Sequence, residues 1–122
     1  MVDSIASIDL SFLQSEFGDD PQFIAEILQD FVTSMDGHLS VLQLAVADND
    51  LSQVMSESHQ LKASSATIGA SVLSNLAVDM ETFARSQSGE GDLPGTLDSL
   101  VNQSEKVRLA VRAYCSTHNT LH

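Results

Sequence analysis

Between Ile24 and Val46 the apolar residues Ile24, Ile27, Leu28, Phe31, Met35, Leu39, Leu42 and Val46 recur every three or four positions. That spacing draws one stripe along a helix. A strand would need alternate residues on a common face. Sustained period-two alternation occurs nowhere in the chain, so its core has to come from helices packed on helices. Asp19-Asp20-Pro21 supplies the start of this long helix, with Asp20 as the cap and Pro21 at the first helical position. The pattern predicts a helix over 21–47, with Gly37 as a weak point where it could bend or break.

The rest of the chain follows the same period. Ser7 can cap a short first helix carrying Ile8, Phe12, Leu13 and Phe17, with Gly18 as its stop. Asp48-Asn49-Asp50 reads as a tight polar turn and as the cap of a third helix over 51–68. Gly69 interrupts, and a fourth helix is predicted over 70–85 through Val72, Leu73, Leu76, Met80 and Phe83. Residues 86–95 hold three glycines and a proline, the composition of a loop. A last helix is predicted over 96–116. Short connections favour antiparallel neighbours. The expected fold is therefore all-α, an antiparallel up-down four-helix bundle with a short extra N-terminal helix. At 122 residues the chain has the length of one domain with one core, and 1–122 is read as a single unit.

Charge narrows the partners. Seventeen acids against five bases give a formal net charge of −12, a surface that repels nucleic acid and anionic membranes alike. Solubility explains such acidity most simply, and a partner with a basic surface is the sharper alternative. No apolar run reaches the roughly 18–20 residues needed to cross a bilayer. Residues 1–20 carry acids, no cation and no unbroken apolar run, unlike a signal peptide. One cysteine, Cys115, excludes an internal disulfide and fits a reducing compartment. These features point to a cytoplasmic protein.

The functional lead lies in the third helix. Lys62 is the first basic residue of the chain, and eleven carboxylates precede it. It stands three positions after His59, and residues three apart on a helix are neighbours. A cation beside an imidazole favours the neutral, nucleophilic ring, and it can also hold an anionic group attached to that ring. At about 100° per residue, Val54, Ser58, Leu61, Ser65 and Ile68 cluster as the buried stripe, and His59 falls roughly 140° from its centre. The ring should face solvent. Lys62, Ala63 and Ala66 share its face with Met55 one turn earlier, which leaves the ring accessible to a second protein.

Turn geometry suggests further neighbours. If Gly69-Ala70 reverses two antiparallel helices, residues whose numbers total about 140 lie at one level, and His59 faces Glu81. A carboxylate there could accept from Nδ1–H and leave Nε2 bare. Glu81 could equally pair with Arg85 one turn on. The same reasoning at the Asp48–Asp50 turn puts His38 and Gly37 beside His59.

The stretch His59-Gln60-Leu61-Lys62-Ala63-Ser64-Ser65, with Gly69-Ala70 after it, resembles the histidine-containing phosphotransfer (HPt) domains of two-component phosphorelays. Their pattern is His-x-Leu-Lys-Gly-Ser-Ser followed by a Gly-Ala junction, in a four-helix bundle. The likeness extends over most of the chain, including the Asp-rich turn before His59 and Met80-Glu81 with Arg85 after it. It implies that His59 accepts a phosphoryl group from the aspartyl phosphate of a receiver domain and passes it to another receiver. It also implies that Lys62 balances the phosphoryl charge, and that Glu81 sits where such domains place a group bonded to the ring's other nitrogen.

One departure is Ala63, where the family usually has glycine. The added methyl is expected to slow transfer without abolishing it. The implied partners are response-regulator receiver domains and a hybrid histidine kinase, met on a surface around Met55, Ala63, Ala66 and His38. No cofactor or metal is expected on this chain, since Mg²⁺ would be carried by the receiver. Without a phosphate-cradling glycine loop or a nucleotide motif, the expected role is a monomeric phosphocarrier, not an autokinase. Met1 and the complete bundle point to a free-standing carrier.

Other readings have less behind them. A non-catalytic helical adaptor could use the same bundle and keep His59 by accident. A metal site from His38, His59 and Glu81 has no supporting ligand spacing such as His-x₃-His. His118 and His122 read as ordinary residues near a fraying terminus, and Ser64 and Ser65 as small packing residues.

Overall fold

A computed structural model describes residues 7–86 and 91–118. Residues 87–90 of the expected loop, together with Met1 and His122, lie outside the described residues, as does the side chain of His118. Among the described residues five helices follow one another: α1 (Leu10–Phe17), α2 (Pro21–Ala47), α3 (Leu51–Thr67), α4 (Ser71–Ser86) and α5 (Leu93–His118). Among the described residues α3 packs on α2 and α4, α5 packs on the same two, and the backbones of the diagonal pairs stay farther apart. Short reversals and this closed ring give the antiparallel four-helix bundle, with α1 as the small addition.

Capping fixes where the helices begin. Asp20 accepts from the backbone N–H of Gln22 at 3.1 Å with Pro21 at the first position, as its sequence demands. The first helix starts later than Ser7 would place it. Asp9 is the cap, accepting from Phe12 N–H at 3.0 Å, while Ser7 and Ile8 lie buried ahead of the helix. A carboxylate three residues before an orphan N–H is the stronger cap for that turn.

The last helix starts earlier than the glycine and proline content suggests. Asp92 accepts from Gly95 N–H at 3.0 Å, so Leu93, Pro94 and Gly95 form its first turn. Proline is tolerated there because that turn's N–H groups have no helical partner to lose.

Two reversals set the register of α3, and both use the same device. At the first, Asn49 is left-handed (φ 55°), its N–H bonds Val46 O at 3.1 Å, and Asp50 N–H bonds Ala45 O at 2.8 Å. At the second, Gly69 is left-handed (φ 74°), its N–H bonds Ala66 O at 3.2 Å, and Ala70 N–H bonds Ser65 O at 3.0 Å. Each pair satisfies carbonyls that a helix end leaves open. Gly69 answers a second demand. A Cβ there would lie 2.9 Å from Asp9 Cβ, because the start of α1 covers the α3–α4 junction.

Gly37 does not bend α2, which runs unbroken through it. A methyl group at this exposed position would meet nothing within 4 Å. Gly37→Ala should therefore stabilise the protein by about 0.5–1 kcal/mol through lower unfolded-state entropy and better helix propensity. Urea unfolding checks this, and an unchanged or lower midpoint would contradict it.

The core is filled by Leu13, Ile24, Leu28, Met35, Leu42, Val54, Leu61, Leu73, Met80, Leu100 and Val107, each almost fully removed from solvent. The stripe expected on α3 is the buried one: Val54, Ser58, Leu61 and Ser65 are 0% exposed and Ile68 is 2% exposed. Ser58 returns its hydroxyl to Val54 O at 2.6 Å, whereas the buried Ser65 hydroxyl has no bonding partner among the described residues.

Candidate functional site

With α3 buried along that stripe, its opposite face carries His59, whose side chain is 58% exposed. Ala63 and Ala66 are exposed on the same side and Met55 is half-buried. The small side chains leave the imidazole standing clear of its own helix. Among the described residues nothing bonds Nε2, while Nδ1 lies 3.1 Å from Glu81 Oε2 on α4. A carboxylate can only accept, so Nδ1 carries the proton and the neutral ring presents the Nε2 lone pair to solvent.

Glu81 organises the site. Its side chain is 10% exposed and receives three donors: His59 Nδ1–H, Lys62 Nζ at 3.3 Å on Oε1, and Arg85 Nη2 at 2.6 Å on Oε2. Burial on its own pushes the carboxyl's pKa up. Hydrogen bonds from Lys62 and His59, with their charges, outweigh burial and hold it below its usual value of 4.5. The two alternatives for Glu81, holding the ring or pairing with Arg85, are both realised on one oxygen. Ser74 adds a pin that the periodicity did not reveal. Its hydroxyl donates across the junction to Lys62 O at 3.1 Å, tying α4 to α3 beside the lysine.

His38 is not part of this cluster. The level argument puts it beside His59, but its Nδ1 meets Glu57 Oε1 at 2.9 Å and its side chain is only 15% exposed. The turn offset is two residues different from the expected one, and two residues on α3 rotate the contact by roughly 200°. Glu57 therefore lies between α2 and α3, while His59 faces out. A metal-binding grouping of His38, His59 and Glu81 is not formed. No three His, Cys, Asp or Glu among the described residues are arranged to hold an ion.

Electrostatics distinguish α3 from the rest of an acidic chain. Its one carboxylate, Glu57, is buried, so the helix bearing His59 exposes no negative charge. Ser52, Ser56, Gln60 and Arg85 border a shallow groove over Met55 beside the ring. A strongly anionic group could approach here, and Lys62 stands within reach of it.

Residues 26–112 match the Hpt domain family. The chain belongs to that family. Hpt domains are histidine phosphotransfer intermediates of phosphorelays. Among relatives, the phosphorelay protein LuxU of Vibrio vulnificus is 29% identical over 107 residues, 88% of this chain and 88% of the relative. Two solved structures share the fold. Histidine-containing phosphotransfer protein B (HptB) of Pseudomonas aeruginosa PAO1 aligns with a TM-score of 0.77 at 21% identity, over 88% of this chain and 92% of that one. The HPT domain of an Hpt sensor hybrid histidine kinase from Shewanella aligns with a TM-score of 0.78 at 20% identity, over 93% and 97%. No helix among the described residues of this Hpt chain is long and apolar enough to cross a membrane.

Proposed function

We propose that His59 is the phosphoryl acceptor of this Hpt chain, loaded from the aspartyl phosphate of one response-regulator receiver and unloaded onto the aspartate of another. The observation that carries this reading is the division of the ring: Nδ1 held by a buried carboxylate, Nε2 open to solvent. In the step, the Nε2 lone pair forms a bond to phosphorus as the bond from phosphorus to the aspartyl oxygen breaks. The aspartate leaves as a carboxylate. The product ring is cationic, keeps its Nδ1 proton, and is stabilised by Glu81.

Lys62 has the second part. It rests on Glu81 Oε1 and can turn its ammonium to the phosphoryl oxygens as they arrive. Phosphoryl transfer asks mainly for alignment and charge neutralisation, and the receiver's Mg²⁺ supplies the remainder, so the chain itself holds no cofactor. The reading makes it a monomeric cytoplasmic carrier without autokinase activity, residues 1–122 forming one unit. Receivers and a hybrid kinase dock on the face of Met55, Ala63 and Ala66. The lack of exposed carboxylates on α3 supports this, since a receiver's phosphorylated aspartate is itself strongly anionic. His38, turned to Glu57, has no part in that face.

The test is incubation with phosphorylated receivers, followed by assay of the chain for acid-labile, base-stable label. No label from any of several receivers would overturn the proposal in favour of an adaptor that binds without transfer. Lys62→Ala should lower the transfer rate about 10-fold to 100-fold, the scale of a lost charge contact in the transition state, with helicity unchanged. Ala66→Glu should weaken receiver binding at least tenfold by adding a like charge to the docking face. Titration calorimetry checks it, and unaltered affinity would remove Ala66 from the interface.

A further inference from the structure

Away from His59, a second constellation spans α2 and α3. Ser34 Oγ lies 3.2 Å from His38 Nε2, and His38 Nδ1 lies 2.9 Å from Glu57 Oε1. The carboxylate and imidazole are largely enclosed, at 12% and 15% side-chain exposure, while Ser34 is exposed. Glu57 fixes Nδ1 as the protonated nitrogen, so the neutral ring turns its Nε2 lone pair to the serine hydroxyl. Other helix hydroxyls behave differently. Those of Thr33, Ser58, Thr67 and Ser104 turn back onto a carbonyl of their own helix, the usual outcome for such residues in helices. Ser34 instead points one turn forward at a base that a third group orients, the arrangement that makes a hydroxyl nucleophilic.

We propose that Ser34, His38 and Glu57 form a second reactive site, at which Ser34 is acylated by small activated acyl donors such as aryl esters. Ser34 Oγ attacks the acyl carbon, its proton passes to His38 Nε2, and the bond to the leaving phenolate oxygen breaks. The resulting imidazolium is held by Glu57 and returns its proton to water. Ser34 sits in the middle of α2, where backbone N–H groups are committed to helix bonds and supply no oxyanion donors. The site therefore takes up one acyl group per chain and does not turn over rapidly. It shares no residue with the His59 cluster and stands or falls separately from the phosphotransfer reading.

The experiment treats the full chain with p-nitrophenyl acetate and locates acetyl groups by peptide mass mapping over time. His59→Gln is run in parallel, because an exposed imidazole also consumes this ester. Ser40, exposed on the same helix, is the internal reference. Ser34 should acetylate at least tenfold faster than Ser40, and His38→Gln should bring it down to the Ser40 rate. Equal rates at Ser34 and Ser40 in the native chain overturn the proposal. So does full Ser34 reactivity in a His38→Gln chain whose circular dichroism is native. If that variant fails to fold, the comparison of the two serines in the native chain decides.

Discussion

His59→Gln should abolish acid-labile labelling by a phosphorylated receiver while leaving the fold intact. The side chain is 58% exposed and, among the described residues, bonds Glu81 alone, so stability should change by no more than about 0.5 kcal/mol. The amide can still donate to Glu81, which preserves the shape of the site, but it has no ring nitrogen to bond phosphorus. The loss should be complete because His38, the other histidine with a described side chain, does not offer the same combination. His38 gives Nδ1 to Glu57 and is mostly enclosed. Intact-mass measurement after incubation reads the result. Equal label on wild type and His59→Gln would move the acceptor elsewhere in the chain.

Glu81→Ala carries the second large effect, and it separates two quantities. In transfer, the ring loses the acceptor that fixes its tautomer and angle. Misplacement of a reacting atom by about 1 Å can cost on the order of 100-fold, so a 10-fold to 100-fold fall in the transfer rate is expected. Glu81→Gln, which keeps an acceptor oxygen, should recover part of it. In stability, the cost should be about 1–2 kcal/mol. It is moderated because Lys62 and Arg85, at 33% and 65% side-chain exposure, can return to water.

That stability contribution depends on pH in a defined direction. The folded carboxyl is held below 4.5, by hydrogen bonds and charges from Lys62 and His59 that overcome its burial. A depressed carboxyl stabilises the fold fully above its unfolded value, and the gain is lost as pH falls through the folded value. The gap in urea midpoint between wild type and Glu81→Ala should thus be widest near neutral pH. It should narrow as pH falls through the lowered folded value and the carboxyl takes up its proton. A gap independent of pH would show that Glu81 acts through packing alone.

Much of this was legible in the chain because helices are local. The caps at Asp20 and Asp50, the buried stripe Val54-Ser58-Leu61-Ser65-Ile68 and the outward face of His59 all follow from angular spacing along one helix. The level of Glu81 was legible too, since Gly69 leaves a short, stereotyped reversal. What failed was where local chemistry offered two answers. Asp9 outcompeted Ser7 as a cap, and Pro94 and Gly95 entered a helix because Asp92 capped it. His38 was displaced because the turn around Asn49 set the α2–α3 register two residues away from the expected one.

Sequence alone determined the helical class, the boundaries of the long helix Pro21–Ala47 and the pairing of a solvent-facing histidine with a lysine one turn on. Each of these depends on residues within a turn or two of one another. Only the tertiary structure decided that Glu81 gathers three donors at once, that Ser74 pins Lys62's carbonyl, and that Glu57 closes on His38 beside Ser34. Apart from the Glu81–Arg85 pair one turn apart, those contacts join residues 12 to 22 positions apart. Their partners are chosen by how two helices settle against each other, which no single helix's periodicity contains.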